Sequence, residues 1–407
     1  MIRHVFKLMW KRKRSTGLIL CEILICFLVL CGILATGIAF TKSWLKPLGF
    51  DYENVWSAAI QGMQFDAKGD QLAADRRALS AALRAVQAMT EVEAAAVSTN
   101  TPYSNSSWID GTRIGGKPAR CLWTLTSPDL PRVLRMRLLH GRWIEATDGA
   151  LSYEPVVLSR SLARDLFGTE DPIGRDMPVF NEEGEPVDPK EEAEIRRVVG
   201  VMDDYRRRGM LEETAYTMFI AVDFDGGERF PQELLIRVRP GTTAAFEEKL
   251  VRTLRSAAPQ WSYDTTRIES RRRTMQMSMI GPLLLAAIVA AFLIATVGLG
   301  LVGVLWLGVT RRTSELGLRR AMGASAPSVR RQILGELWAL TAVAVAAGAA
   351  IFLQLPLLGV DFGAGWWVFL GGATSAALVM YAFVTVCGLY PAWLASRVQP
   401  AAALQHE

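Results

Sequence analysis

From residue 279 to residue 309 the chain carries no charged side chain, and this run constrains the fold more than any other feature. A helix needs roughly 20 apolar residues to cross a hydrocarbon core of about 30 Å, and this run is longer. Three more stretches qualify, so spans are expected at 17–41, 276–310, 332–355 and 366–390. Each must be a helix, because a backbone in lipid has to satisfy its own hydrogen bonds. The chain is 51% hydrophobic over 407 residues, but the apolar residues gather in these blocks. The segment 42–275 is mixed in composition and long enough for its own core, in two lobes. The expected fold class is an integral membrane α-helical protein, with four spans and a large α+β domain between the first and second.

Charge sets the expected orientation. The net charge is +5, and the excess sits beside the spans. Residues 1–16 carry Arg3, Lys7, Lys11, Arg12, Lys13 and Arg14 and no acid, and 311–331 carry six arginines against one acid, Glu315. Basic flanks mark the cytoplasmic side. The basic N-terminus 1–16, the loop 311–331 and the tail 391–407 are then inside, and 42–275 and the connection 356–365 outside. Arg271, Arg272 and Arg273 precede the second span on the outer side, against the rule, but long domains translocate largely regardless of charge. Nucleic-acid binding is set aside, since the basic residues flank spans and no DNA-binding motif accompanies them. The first apolar run is too long for a signal peptide and reads as a retained anchor. Cys21, Cys26, Cys31 and Cys387 lie in spans, and Cys121 is alone in the outer domain, so no disulfide is expected there.

Within 42–275, "EPVVLS" (154–159) has a buried-strand pattern, and "SLARDLFG" follows with Leu162, Ala163, Leu166 and Phe167 on one helical face and Gly168 as a stop. "RRVVGVM" and "LLIRVRPG" read as further strands, and the acidic 181–194 as a solvated hairpin or loop. Catalytic chemistry is not legible. His4, His140 and His406 fall in three regions, so neither a zinc motif nor a histidine-based triad assembles, and no metal site or catalytic residue is assigned. Gly111, Gly116 and Lys117 satisfy G-x-x-x-x-G-K, but Pro118 stands where a phosphate loop needs Ser or Thr for magnesium.

The segment "RRTSELGLRRAMGAS" (311–325) reads as a helix with Leu318, Ala321, Met322 and Ser325 as a narrow stripe. Glu315 makes i,i+4 pairs with Arg311 and Arg319. Gly323 can end the helix, and Ser325 can cap the next, with Pro327 in its first turn. On physics alone two readings stand: a lever joined to two spans, or an amphipathic helix lying on anionic lipid.

That segment, followed by "RRQILGE", resembles the loop after the second span in FtsX-like ABC permeases of the MacB type. The terminal "YPAWLASRVQPAAAL" (390–404) resembles the family's C-terminal signature. In the outer domain, "LLHGRW" (138–143), "PVVLSRSLARDLFGTEDPIGRDM" (155–177) and "RRVVGVMDD" (196–204) resemble its periplasmic core domain. The resemblance implies a type VII ABC permease in the bacterial inner membrane, with 42–275 as a MacB-like periplasmic core domain. It is then a transport subunit and not an enzyme, passing ATP-driven motion to the periplasm for efflux of a peptide, antibiotic or other small substrate. It implies a coupling helix that docks on the ATPase, with Arg312, Glu315, Leu318, Arg319, Arg320, Met322, Gly323 and Ser325 as its candidate contacts. No nucleotide-binding domain precedes the first span, so a separate ATPase chain, in two copies, is expected to bind ATP and Mg. The other implied partners are a second permease protomer (identical or paralogous), membrane lipid, and a periplasmic adaptor with an outer-membrane exit duct. The same scaffold also serves to drive a cell-wall hydrolase or to extract lipoproteins, and a membrane-anchored sensor is the reading from another class.

Further residues are singled out. The stretch 264–277 runs without Gly or Pro toward the second span as a stalk would, with Arg271, Arg272 and Arg273 in it. Gly281 and Pro282 then interrupt the helix, as a hinge or a passive kink. Glu22 and Glu336 lie just inside the cytoplasmic ends of two spans, where charges are costly and often functional; the bland reading is that they snorkel to the interface.

Overall fold

A computed structural model describes residues 13–63, 69–104, 109–114, 117–177, 179–180, 186–187, 195–209, 216–224, 230–310, 322, 325–360 and 365–395. The first elements are α1 (Lys13–Trp44), β1 (Val55–Gln61), α2 (Gly69–Gln87), β2 (Val92–Val97), β3 (Ile109–Ile114), β4 (Lys117–Thr126), α3 (Leu130–Leu134) and β5 (Leu138–Gly141). There follow β6 (Glu154–Ser159), α4 (Arg160–Phe167), β7 (Val179–Phe180), β8 (Pro186–Val187), β9 (Arg196–Met202), β10 (Tyr216–Ala221) and β11 (Glu233–Val238). The last are α5 (Ala245–Ala257), β12 (Ser262–Arg267), α6 (Ile268–Thr310), α7 (Ala326–Phe352) and α8 (Trp366–Ala395). The chain divides into two compact units, Met1–Lys42 with Met279–Glu407, and Ser43–Ser278.

In the first unit, α1, α6, α7 and α8 each hold an apolar segment long enough to cross a membrane: Ile19–Trp44, Ile268–Leu307, Pro327–Leu358 and Trp366–Leu394. Their inward faces share one core, with Ile23, Phe27 and Ala35 from α1, Val297 and Leu301 from α6, Leu340 and Ala344 from α7, and Phe369, Ala376 and Met380 from α8. Lipid tails are as apolar as leucine, so such helices associate by close packing. Gly372 shows this: a Cβ there would stand 2.7 Å from the Cβ of Ala35. The helix α6 runs unbroken through Gly281 and Pro282, where the sequence reads as an interruption. Proline removes one backbone donor but leaves the rest of the ladder intact, and here both residues are exposed.

Among the described residues, the second unit holds two large sheets and the two-stranded pair β7–β8. The first has the order β12-β1-β11-β2, antiparallel throughout. With α2 between β1 and β2 and α5 between β11 and β12, this is the split βαβ arrangement of ferredoxin-like folds. The strands have period two, so each sends alternate residues to opposite faces. Trp56, Leu234 and Ile236 pack under α2 and α5, while Val55, Ala94, Ala96 and Leu235 face the other way, into a core shared with the second sheet. That sheet has the order β3-β4-β10-β6-β9-β5 and is formed wholly between β2 and β11. Its far face packs under α4, through Val156, Leu158, Leu162 and Val198. The stalk read at 264–277 is corrected at its start. Residues 264–267 belong to β12, which pairs with β1 from Trp56↔Arg267 to Gln61↔Ser262. Two adjacent β-branched residues, Thr265 and Thr266, favour the strand there.

Candidate functional site at the root of the stalk helix

The strand β12 passes into α6 without a turn, Arg267 ending one and Ile268 beginning the other. Ile268 is fully buried in the core between the sheets. Positions i+3, i+4 and i+7 from it lie on the same helical face, and they are Arg271, Arg272 and Met275. The arginine triplet is therefore divided, with Arg271 and Arg272 half-buried and Arg273 exposed. Arg271 makes an ion pair with Glu233 of β11, and its Nε donates to Thr266 Oγ1 at 2.8 Å. Glu233 also accepts from Ser57 Oγ of β1 and from Thr101 Oγ1. One carboxylate thus joins two strands, the segment after β2 and the first turn of the stalk. Arg272 donates to Tyr52 OH and lies over that ring at 4.6 Å.

The end of α1 is held in the same unit. Its last carbonyls lack intrahelical donors; Arg206 donates to that of Ser43 at 3.0 Å and to Lys46 O, two residues beyond the helix, at 3.1 Å. Arg206 is only 3% exposed. Beside it, Tyr103 is buried, which pushes its hydroxyl up to about 12 despite the nearby Arg272 guanidinium. It stays neutral at physiological pH.

Further along β11, alternation puts Glu233, Leu235 and Arg237 on one face, that between the sheets. Arg237 is 1% exposed. It donates to the carbonyls of Val133 at 2.5 Å, Glu53 at 2.9 Å and Asp51 at 3.0 Å. Burial pushes its guanidinium below its ordinary value, and the Asp51 carboxylate opposes that.

Three quoted motifs meet in the second sheet. Ser161, at the start of α4, donates through its amide to Asp204 Oδ1 at 2.9 Å and through its hydroxyl to Oδ2 at 2.7 Å. Arg160 pairs with Asp203 at 2.8 Å. A carboxylate at a helix N-terminus is favoured by the unpaired amides and the helix dipole. Gly141 has φ +72°, and a Cβ on it would stand 2.2 Å from Val199 O of β9. Its neighbour Arg142 clasps Asp148 through two bonds of 2.8 and 2.9 Å, and Asp148 also accepts the Glu145 amide at 2.9 Å. Burial raises the Asp148 carboxyl, but these bonds outweigh it and hold it below its ordinary value. A depressed carboxyl stabilises the fold above its unfolded pKa, and the contribution is lost as pH falls through the folded value. The melting temperature is therefore expected to fall below about pH 4. In Asp148→Asn that acid-dependent fall should shrink; an unchanged profile would mean other carboxylates carry it.

Residues 16–253 match the model of the MacB-like periplasmic core domain, and residues 287–400 that of the FtsX-like permease C-terminal region. The chain belongs to the MacB-like permeases of ABC transporters. It is similar to the macrolide export ATP-binding/permease protein MacB of Burkholderia lata, 29% identical over 184 residues, covering 44% of this chain and 27% of that protein. The MacB of Bordetella avium is 24% identical over 288 residues, 68% of this chain and 42% of the other. The permease thus matches less than half the length of these relatives. The crystal structure of the periplasmic region of MacB from Actinobacillus actinomycetemcomitans covers 58% of this chain and 98% of its own, at 18% identity and a TM-score of 0.36.

Of the coupling contacts read in this permease, Arg312, Glu315, Leu318, Arg319, Arg320 and Gly323 lie outside the described residues, as does most of the acidic segment 181–194. Met322 is exposed. Ser325 is extended and stands at the start of α7, where its carbonyl, not its hydroxyl, accepts from Ser328 at 3.0 Å. Pro327 sits in the first turn. Glu22 is half-buried, with Oε2 3.2 Å from where a Cβ on Gly300 of α6 would stand. Glu336 accepts from Gln332 Nε2 at 3.5 Å, one turn earlier. Gly111 and Lys117 belong to an antiparallel β3–β4 hairpin, with Ile114↔Lys117 at its tip, and not to a loop that opens a helix. Among the described residues, no three His, Cys, Asp or Glu side chains gather to hold a metal. Sequence reasoning passed over Glu233, Arg237, Arg206 and Tyr52. The signal for the first two was there: "ELLIRV" places two charges four residues apart, on one face of an otherwise apolar strand.

Proposed function

We propose that this permease passes the motion of a separate ATPase to its periplasmic domain and so drives export of a peptide, antibiotic or other small substrate across the cell envelope. In this reading ATP and Mg are held by the ATPase, in two copies, against a dimer of permeases. The basic segments 1–16, 311–331 and 391–407 lie in the cytoplasm, where the ATPase docks on 311–325, and a periplasmic adaptor and outer-membrane duct complete the path. What supports it most is α6, a single helix of 43 residues that begins in the core of the second unit and ends at Thr310, beside the arginine-rich loop. At 1.5 Å per residue it is about 65 Å long. A displacement at one end is carried to the other if the root is held, and Ile268, Arg271 and Arg272 hold it.

The test is Glu315→Lys in the full permease, expressed with its ATPase. In the helix read from the sequence at 311–325, two attractive i,i+4 pairs become repulsive, at a cost of roughly 0.5–1 kcal/mol, too little to prevent insertion. Membrane levels should be near normal, and the ATPase should be lost on co-purification. Full ATPase binding together with full transport would refute docking on 311–325.

A further inference from the structure

A small cavity lies at the root of the outer domain, about 90 Å³ in volume, with Trp44, Lys46, Tyr103, Arg208, Arg272 and Met275 among its lining residues. Among the described residues, three cations line it and no carboxylate does. Drug-sized ligands occupy sites of roughly 300–1,000 Å³, so this is not a substrate pocket. It suits a compact anion. Guanidinium and ammonium groups recognise phosphate oxygens by charge-assisted hydrogen bonds. Arg272 is already fixed by Tyr52, so it loses little freedom on binding.

The place of the cavity along the chain says where such an anion comes from. Trp44 and Lys46 follow the apolar part of α1 directly, and Trp44 lies about 6 Å beyond Phe40 along the helix. Trp44 and Leu45 are exposed, at 57% and 80%. Tryptophan beside basic residues at the end of a span is the composition of the headgroup layer. On the other wall, Met275 and Gln276 stand just before the uncharged run of α6. We propose that this cavity binds the phosphodiester of an anionic phospholipid, with Lys46, Arg208 and Arg272 on its oxygens and Trp44 and Tyr103 against its glycerol. A lipid held there ties the first turn of the stalk to the membrane surface.

The experiment titrates the full chain in neutral detergent with dioctanoyl phosphatidylglycerol, with dioctanoyl phosphatidylcholine and with inorganic phosphate, reading bound ligand by native mass spectrometry. Phosphatidylglycerol should bind at least about tenfold tighter than phosphatidylcholine, and equimolar inorganic phosphate should not displace it. The double variant Lys46→Gln with Arg208→Gln should bind phosphatidylglycerol about 30-fold more weakly, the loss of two cations at roughly 1 kcal/mol each. Lys46→Arg with Arg208→Lys should bind like the wild type. Equal binding of the two lipids, undiminished binding by the glutamine variant, or displacement by equimolar phosphate would each overturn the assignment. Should the glutamine variant fail to fold, the wild-type preference between the lipids decides.

Discussion

Replacing Glu233 with alanine is expected to release the stalk from the domain while ATP turnover continues. Glu233 and Arg271 are 13% and 18% exposed, so the variant leaves a mostly buried guanidinium without its counter-ion. Ser57 and Thr101 lose an acceptor at the same time. Breaking a buried pair from one side costs about 3–5 kcal/mol, and this partly solvated pair belongs at the low end. A domain with a stability of about 5–15 kcal/mol survives that, with a lowered melting temperature. In membranes reconstituted with the ATPase, hydrolysis should persist and export should fall to background. The double variant Glu233→Ala with Arg271→Ala separates stability from coupling. With both charges gone no orphan remains, so it should melt higher than the single variant, a non-additivity that a double-mutant cycle measures. Export should still be absent, because the tie is still missing. If export returns along with stability, the pair is a structural element only, and the stalk is held by Ile268 and Arg272.

Arg237→Ala should do more damage to the fold. Its guanidinium serves the carbonyls of Val133, Glu53 and Asp51, from two segments far apart in the chain. Each buried acceptor left unsatisfied costs about 1–3 kcal/mol, and the void adds to that. A loss on the order of 5 kcal/mol is expected, enough to remove most of the stability of an ordinary domain. Little folded protein should accumulate, and what does should be cut rapidly by added protease within 43–278. Arg237→Lys should not rescue it, because one ammonium cannot reach three carbonyls that a planar fork spans. Normal accumulation of Arg237→Ala, with wild-type melting, would show that water replaces the guanidinium at no cost.

The parts of this architecture legible in the sequence follow from the solvent. A run without charge from 279 to 309 has one solution in lipid, so the apolar helices can be read directly. Strands such as β6 and β9 were legible because their apolar runs are short and end in turn residues. The sheet order was not, since β2 pairs with β11 across the whole of the second sheet and no local pattern encodes a partner so distant. The root of the stalk was half legible. "RRR" stood out, but which arginines turn inward depends on where the helix starts, and the strand residues 264–267 hid that. Glu233 showed only as a charge in an apolar strand, because its three partners, Arg271, Ser57 and Thr101, come from three places in the chain.

The insertion of the second sheet between β2 and β11 has a consequence for how such proteins diversify. Those strands are neighbours, paired from Leu234↔Val97 onward, so the inserted lobe leaves and re-enters its host at nearly one point. Topologically it is a cassette: a lineage can enlarge, trim or replace it without rethreading the lobe that carries α1 and α6. Thermodynamically it is not free to go. Ala96 and Leu235 are fully buried against Phe219 and Val157 of the insert, and excision would turn that face into an open apolar patch. Replacement cassettes are therefore held to one condition, an apolar face that fits β2 and β11, while their outer surface is left to follow whatever partner selection supplies.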